Sequence, residues 1–537
     1  MYVIGIDVGT GSARAGVFDC GGQMLGSAKA EVTMWRDAGS FVEQSSDQIW
    51  AAVCSSVRGA VKAAGIDPAQ VSGIGVDATC SLVVLGPGGV PLPVSSNDPQ
   101  RNIIVWMDHR AVDQAARINA TAHPVLAYVG GVISPEMETP KLLWLREHRP
   151  SVFDAAWAFF DLADFLTWKA TGSLARSTCT LTCKWTYLAH EKRWDASYFN
   201  TIGLGMLADE GFVRIGTDVV EPGTSLAQGL TGQSATDLGL PIGTRVAAGL
   251  IDAHAGGLGT VGAVGRDVTQ NMGYVFGTSS CTMTTTQAPV FVPGVWGPYH
   301  SAMLPDMWLN EGGQSAAGAA IDHLLTLHPA HDQAAAQAHA QGLPLPVWLA
   351  NRAMTPNLSD AALLADGLYV IPEFLGNRAP FANPHARGLI AGIGMGRDID
   401  SLTALYVAGL CGLGYGLRQI IDTQAAHGAP VQRIVISGGA GSHDLVRQIL
   451  ADATGLPVIS TRADEPVLLG SAILGAVAGG RFAGVAAAMA AMSGAKVTFA
   501  PATGALSDWH NQGFAAFETL QKAAHAVQRA SQMPALT

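Results

Sequence analysis

The chain reads as an α/β protein built from two duplicated lobes that face each other across a cleft. Three observations predict this. Short apolar runs of strand length alternate with longer stretches of helical periodicity, as mixed sheets covered by helices require. A strand, glycine turn, strand unit occurs twice, at Tyr2–Asp19 and at 271–284. Each unit is followed at a distance by a helix and a buried strand, the pattern of an internal duplication with insertions. A length of 537 residues is too much for one core and suits two large lobes.

Composition narrows the class. Hydrophobic residues make up 48%, charged residues only 14%, and 64 residues are glycine. That balance excludes disorder, collagen and coiled coil. It implies extensive burial and is compatible with a homodimer, whose interface the sequence does not show. The net charge is −11, and no dense Lys/Arg block is present, which argues against a nucleic-acid partner. An anionic ligand would have to be held by local backbone amides and a metal.

The seven cysteines are odd in number and scattered, which fits free thiols in a cytoplasmic protein. Cys179 and Cys183 stand four apart. No second Cys/His pair at ligand spacing accompanies them, and this argues against zinc. The first residues, MYVIGIDVGT, lack a basic segment and carry Asp7, unlike a signal peptide. The uncharged run from Ser401 to Leu417 is 17 residues long and contains four glycines, so it reads as a closely packed core helix, not a membrane span.

In chain order, Tyr2–Asp7 and Arg14–Asp19 are strands around a small-residue turn. A helix follows with Ser46 or Asp47 as N-cap and Ile49, Trp50, Val53, Val57, Ala60, Val61 and Ala64 on one face. Val71–Asp77 is a buried strand. In the second half, Gly277-Thr278-Ser279-Ser280 is the turn, Leu402–Ala426 a long helix, and Val431–Ser437 a strand ending in a glycine turn. A helix (His443–Thr454), a strand (Leu456–Ser460) and a helix (Pro466–Val477) complete the unit. The lobes divide near residue 255, giving 1–255 and 256–480, and 481–537 reads as a helical appendage without chemistry.

The common nucleotide signatures are missing. No G-x-x-x-x-G-K-[ST] occurs, and Gly9-Thr10-Gly11-Ser12-Ala13-Arg14 leads into a strand with Arg14 in place of the third dinucleotide-loop glycine. What remains is a hairpin whose glycines admit phosphate oxygens, with Thr10 and Ser12 as hydroxyl donors and Arg14 as a charged fork. Asp7 beside phosphates would need a cation between them, and Mg²⁺ with retained waters suits it. An ordinary turn with a capping Asp is the plainer alternative. Gly277-Thr278-Ser279 offers a like cradle from the other lobe, and the two together resemble the paired phosphate loops of the actin-like (ribonuclease H-like) ATPase superfamily.

Further motifs sharpen the resemblance. Gly249–Gly257 with Asp252, Asn310–Ser315 with Glu311, Phe374–Pro380 running to Arg387-Gly388, and Ser437–Ala440 resemble the motifs of the FGGY carbohydrate kinases. They occur in that family's order and cover about residues 1–480. Val76–Ser81, Trp106–Arg110, Ser134–Met137 and Cys179–Trp185 are similar to its ribulokinase branch, closer to the D-ribulokinase type.

The resemblance implies transfer of the γ-phosphoryl group of ATP to a sugar hydroxyl, with Mg²⁺ as cofactor and a small sugar as partner. It carries Asp252 onto the catalytic base; from the sequence alone an N-cap Asp is the competing reading. Thr10, Gly11, Ser12 and Arg14 map to the first phosphate loop, Gly277 and Thr278 to the second. Gly438, Gly439 and Ala440 match the adenosine motif, where small residues let the purine lie on backbone, or else form a plain strand-to-helix turn. Asp7 and Asp252 would hold Mg²⁺ mainly through water. Thr79, Cys80, Glu136, Lys184, Asp252 and Glu311 are implied for the sugar.

Lys184 lies in a run that otherwise reads as strand, and a snorkelling surface lysine is its alternative. Asp108-His109-Arg110 either orients the sugar or starts a helix with a surface pair. His254 reads as structural, and Glu43 and Gln44 receive no catalytic role. The activity expected is a pentulose kinase, with D-ribulose ahead of L-ribulose and ribitol; a non-catalytic nucleotide-dependent sugar sensor is the alternative from another class.

Overall fold

A computed structural model describes residues 1–531 apart from 38, 96, 97, 99, 265 and 266. The last six residues of the expected appendage lie outside it. In the first lobe, strands Tyr2–Val8 and Ser12–Phe18 form the glycine hairpin, extended antiparallel by Met24–Glu31. On its other side Tyr2–Val8 pairs in parallel with Val71–Ala78, which in turn pairs with Arg245–Val246 and Leu250–Ile251. The second lobe repeats the order. Asn271–Phe276 and Ser280–Thr286 form the hairpin, Trp308–Gln314 extends it, and Arg433–Ser437 and Val458–Thr461 pair in parallel on the far side. The duplication expected from the sequence is present strand for strand.

Helix Ser46–Ala64 covers the first sheet, and its counterpart Ile399–Ala426 covers the second. The first is capped by Ser45, one residue before the nearer expected cap, where Ser45 Oγ accepts the Gln48 N–H, and it stops at Gly65 in the left-handed conformation. Ile399–Ala426 is long and apolar enough to cross a bilayer, yet most of it is buried among core side chains such as Ile321, Ile434 and Leu450.

Two helices join the lobes. Asp252–Val261 follows the first sheet and packs on Asn271–Phe276 of the second, while Pro466–Ala478 follows the second sheet and packs on Tyr2–Val8 and Val71–Ala78 of the first. The exchange requires very close approach. A Cβ on Gly75 would stand 1.8 Å from the Ser471 carbonyl oxygen, and one on Gly470 would stand 1.9 Å from that of Ala255. Glycine is thus a packing requirement at this junction. The expected boundary at 255 falls inside a shared helix, and one apolar core runs from Val3 through Leu258 to Ile473.

Two local expectations change. Thr178–Lys184 is a helix, not a strand: Ser177 Oγ caps the Cys179 N–H, and the Thr182 hydroxyl returns to the Thr178 carbonyl at 2.6 Å. β-Branched threonines there mimic strand propensity while their hydroxyls support the helix. The region after 480 is not wholly helical, since Ala495–Phe499 adds an antiparallel edge to the second sheet. Its helix Ala505–Ser531 then packs beside Ile399–Ala426.

Candidate active site

The parallel register places Asp7 opposite Asp77, and Asp77 opposite Leu250, so Asp252 follows at the same sheet end. Asp252 is the first residue of its helix. Its Oδ1 accepts the Ala253 N–H at 2.8 Å, and its carboxylate faces the cleft between the lobes. That cleft has a volume of about 860 Å³. Nine expected residues line it: Asp7, Ser12, Arg14, Thr79, Cys80, Glu136, Lys184, Asp252 and Glu311. Thr10, Gly11, Gly277 and Thr278 belong to the hairpin turns beside it and do not form its wall.

At the end expected for the sugar, Lys184 and Glu311 are buried, and Glu136 and Arg378 are partly exposed. Lys184 is 6% exposed, which removes the surface reading, and its ammonium lies 5.4 Å from the centre of the Trp296 ring. Arg378 reaches the same ring at 5.5 Å. Glu311 accepts from His254 Nε2 at 3.1 Å. Burial alone would raise this carboxyl, but the His254 hydrogen bond and the charges of Lys184, His254 and Arg378 bring it down to about 2. Glu136 is likewise lowered against burial, chiefly by His109, whose Nε2 lies 3.4 Å away.

At the phosphate end, carboxylates gather. Burial, and then the neighbouring Asp7, push Asp252 up to about 6. Asp77 is fully buried and raised by burial and by the charges of Asp7 and Asp252; Ser471 donates to its Oδ2 at 2.5 Å, while its Oδ1 has no hydrogen-bond partner. Asp7 and Asp252 face the cleft while Asp77 lies sealed behind them, and two acceptor-only groups beside phosphates suit a hard divalent cation. Arg14 differs from expectation. It is not a free fork: it holds Asp7 through Nε at 2.9 Å and through a second nitrogen, and it reaches across the lobes to Glu465 at 2.8 Å.

The first turn is held by Trp106 Nε1 donating to Thr10 Oγ1 at 3.0 Å and by Gln44 donating to the Thr10 carbonyl at 2.7 Å. Around Gly11 an added side chain would meet open space. In the second turn, the Gly277 and Thr278 carbonyls are taken by backbone N–H groups of 317–319, and Ser279 faces the cleft. Gly438 is not part of the pocket wall that its neighbours form. Its φ is 94°, and a Cβ would lie 2.4 Å from the Phe276 carbonyl oxygen, so it exists for the turn. Gly439 and Ala440 line a separate pocket of about 300 Å³ with Phe276, Ile321 and Tyr406. Successive residues of one strand face the two cavities, Val275 the cleft and Phe276 the pocket.

Asp108 and Arg110 are neither sugar ligands nor a surface pair. They are buried against each other, and Arg110 also binds Glu43 at 2.8 Å, forming a strut behind the first turn. Sequence reading gave no site role to Asp77, Trp296, Arg378 or Glu465. Asp77 and Arg378 stand inside motifs already singled out; Trp296 and Glu465 have no local signal.

Two lobes, two cavities and a carboxylate at a helix head provide what phosphoryl transfer to an alcohol needs: room for a donor, room for an acceptor and a base. Residues 2–259 match the N-terminal domain, and residues 272–479 the C-terminal domain, of the FGGY family of carbohydrate kinases. The chain is 46% identical over 504 residues to an FGGY carbohydrate kinase domain-containing protein of Homo sapiens, covering 92% of this chain and 91% of that one. It is 38% identical over 520 residues to a D-ribulokinase of Saccharomyces cerevisiae, covering 89% and 72%. A xylulose kinase from Rhodospirillum rubrum superposes with a TM-score of 0.80 at 22% identity over 98% of this chain and 100% of that one, a likeness of fold. The chain belongs to the FGGY family of carbohydrate kinases, whose members use ATP as phosphate donor.

Proposed function

We propose that the protein phosphorylates a pentulose, D-ribulose, at its terminal hydroxyl to give D-ribulose 5-phosphate, with Asp252 as the base. The observation that carries this reading is Asp252 itself: a carboxylate at a helix head, in one cleft with Lys184, Glu136 and Glu311. Similarity to the yeast D-ribulokinase supports the choice of pentulose.

Bound ATP supplies the phosphoryl group, and bound Mg²⁺ neutralises its charge. Asp7 and Asp252, which face the cleft, would hold the metal. Asp252 takes the proton of the attacking hydroxyl at its carboxylate; a carboxyl pushed up to about 6 is ionised at neutral pH yet more basic than an exposed Asp. Glu311, Glu136, Lys184 and the Thr79-Cys80 loop hold the hydroxyls, and the Trp296 ring covers a sugar face. Groups fixed in this way reject an epimer, because a misplaced hydroxyl leaves a buried partner unpaired. Gly439 and Ala440 accept the purine. Seven free thiols support a cytoplasmic setting.

The test is ADP release over D-ribulose, L-ribulose, D-xylulose and ribitol, with the phosphosugar identified. D-Ribulose should give the highest kcat/KM. A higher value for another substrate would move the assignment, and ATP hydrolysis without phosphosugar would overturn it.

A further inference from the structure

Behind the sugar end lies a side-chain cluster that phosphoryl transfer does not use. Cys179 and Cys183 stand one turn apart on the 178–184 helix, and both sulfurs approach one nitrogen of His254. Cys179 Sγ is 3.2 Å and Cys183 Sγ 3.9 Å from His254 Nδ1, and the three atoms lie within 4.8 Å of one another. All three residues are fully sealed from solvent.

These spacings can be compared with a metal site. Ligands at about 2.3 Å (sulfur) and 2.0–2.1 Å (nitrogen) from one tetrahedral ion stand roughly 3.6–3.8 Å apart. The observed separations bracket that range. The far side of the imidazole fits as well: Nε2 donates to Glu311, as a carboxylate does when it fixes the tautomer of a metal-bound histidine. The Ile251 N–H points at Cys179 Sγ at 3.4 Å, easing charge on that sulfur. Two sulfurs and an imidazole select soft or borderline cations and disfavour Mg²⁺, so this cluster is chemically distinct from the carboxylates of the cleft.

We propose that Cys179, Cys183 and His254 bind a thiophilic d¹⁰ cation, Zn²⁺ or Cu⁺, which ties the 178–184 helix to the 252–261 helix and anchors the imidazole that holds Glu311. On binding Zn²⁺, the two thiols release their protons to solvent and His254 binds as the neutral imidazole through Nδ1, keeping its proton on Nε2; no group is oxidised or reduced. Spacing along the chain could not reveal the site, because the third ligand comes 71 residues after Cys183.

The test needs no activity readout. Full-length protein, purified reduced and without chelator, should carry close to one equivalent of zinc or copper by elemental analysis, and which element decides between the two ions. Stripped protein given Co²⁺ should show a thiolate-to-cobalt charge-transfer band. That band should be lost in the Cys179→Ser/Cys183→Ser double variant and kept in Cys411→Ser, whose thiol is buried elsewhere. Folding of the double variant is checked by circular dichroism. If it misfolds, the wild-type metal content and spectrum still decide. Wild type with background metal, no cobalt band and no uptake of Zn²⁺ or Cu⁺ would overturn the proposal.

Discussion

The two ends of the proposed site offer different surfaces. At the proposed sugar end charged side chains hold one another, Glu311 and Lys184 buried, Glu136 and Arg378 partly exposed: Glu311 is held by His254, Glu136 by His109, and Lys184 and Arg378 lie beside Trp296. In the separate pocket proposed for the purine the surface is backbone and small residues, with Gly438 fixed by its turn and Gly439 and Ala440 open to an apolar space. A sugar differs from its epimers by the position of a hydroxyl, and only preset polar partners can register that. A purine bound mainly by area and shape needs flat space instead. Specificity should therefore be lost by changing side chains at one end and by adding atoms at the other.

The largest effect is expected between the ends, at Asp252. Asp252→Asn keeps the shape and removes the base, so kcat should fall by about 10²–10⁴ with the KM for sugar nearly unchanged. Near wild-type turnover in stopped-flow ADP release would end the assignment. Next comes Glu311→Gln at the sugar end. Losing a charge-assisted partner, worth about 1.5–3 kcal/mol, should raise the sugar KM roughly 10- to 100-fold and leave ATP untouched. A parallel rise in the ATP KM would break the division between the ends.

Gly438→Ala probes the other side. The new Cβ meets the Phe276 carbonyl at 2.4 Å in a left-handed conformation, which should cost about 1–3 kcal/mol in a denaturant melt and weaken ATP but not sugar. Ala440→Leu should fill the apolar pocket and raise the ATP KM several-fold with little change in stability. Isothermal titration with each ligand separates the two variants.

Much of the architecture was legible in the sequence because local rules agree with the fold. The two hairpins, the long helix and the strand before Gly438 all follow from apolar runs broken by glycine. The region 178–184 misled because threonine and cysteine favour strands, whereas Ser177 and the threonine hydroxyls cap and support a helix. The lobe junction was hidden for another reason: Gly75 sits inside an expected strand and Gly470 inside an expected helix, and neither shows why it is glycine until the opposing backbone is seen. Asp252, Lys184 and Glu311 were found through resemblance to a family, not spacing. Asp77 needed the parallel register that sets it beside Asp7, and the Arg14–Glu465 contact joins residues 451 apart. The strut of Glu43, Asp108 and Arg110 shows the reverse case, where a motif resembling a ligand site proves to be internal support.

The smallest expected effect lies at the rim of the sugar end. His109 is half-exposed, and its pKa is raised by its hydrogen bond to Glu136. A histidine raised in this way contributes fully below its unfolded value of about 6.5, and its contribution disappears as the pH rises through the folded value. Solvent screening keeps the pair weak. The sugar KM of the wild type should therefore rise only a few-fold from mildly acidic to alkaline pH as His109 loses its proton and Glu136 loosens. In His109→Gln that slope should flatten, with the KM near the wild-type alkaline value throughout. The ATP KM, set by backbone and apolar contact, should not follow His109 in either protein. A matching pH step in the ATP KM, abolished by the same substitution, would mean that the rim couples both ends and that their recognition is not separable.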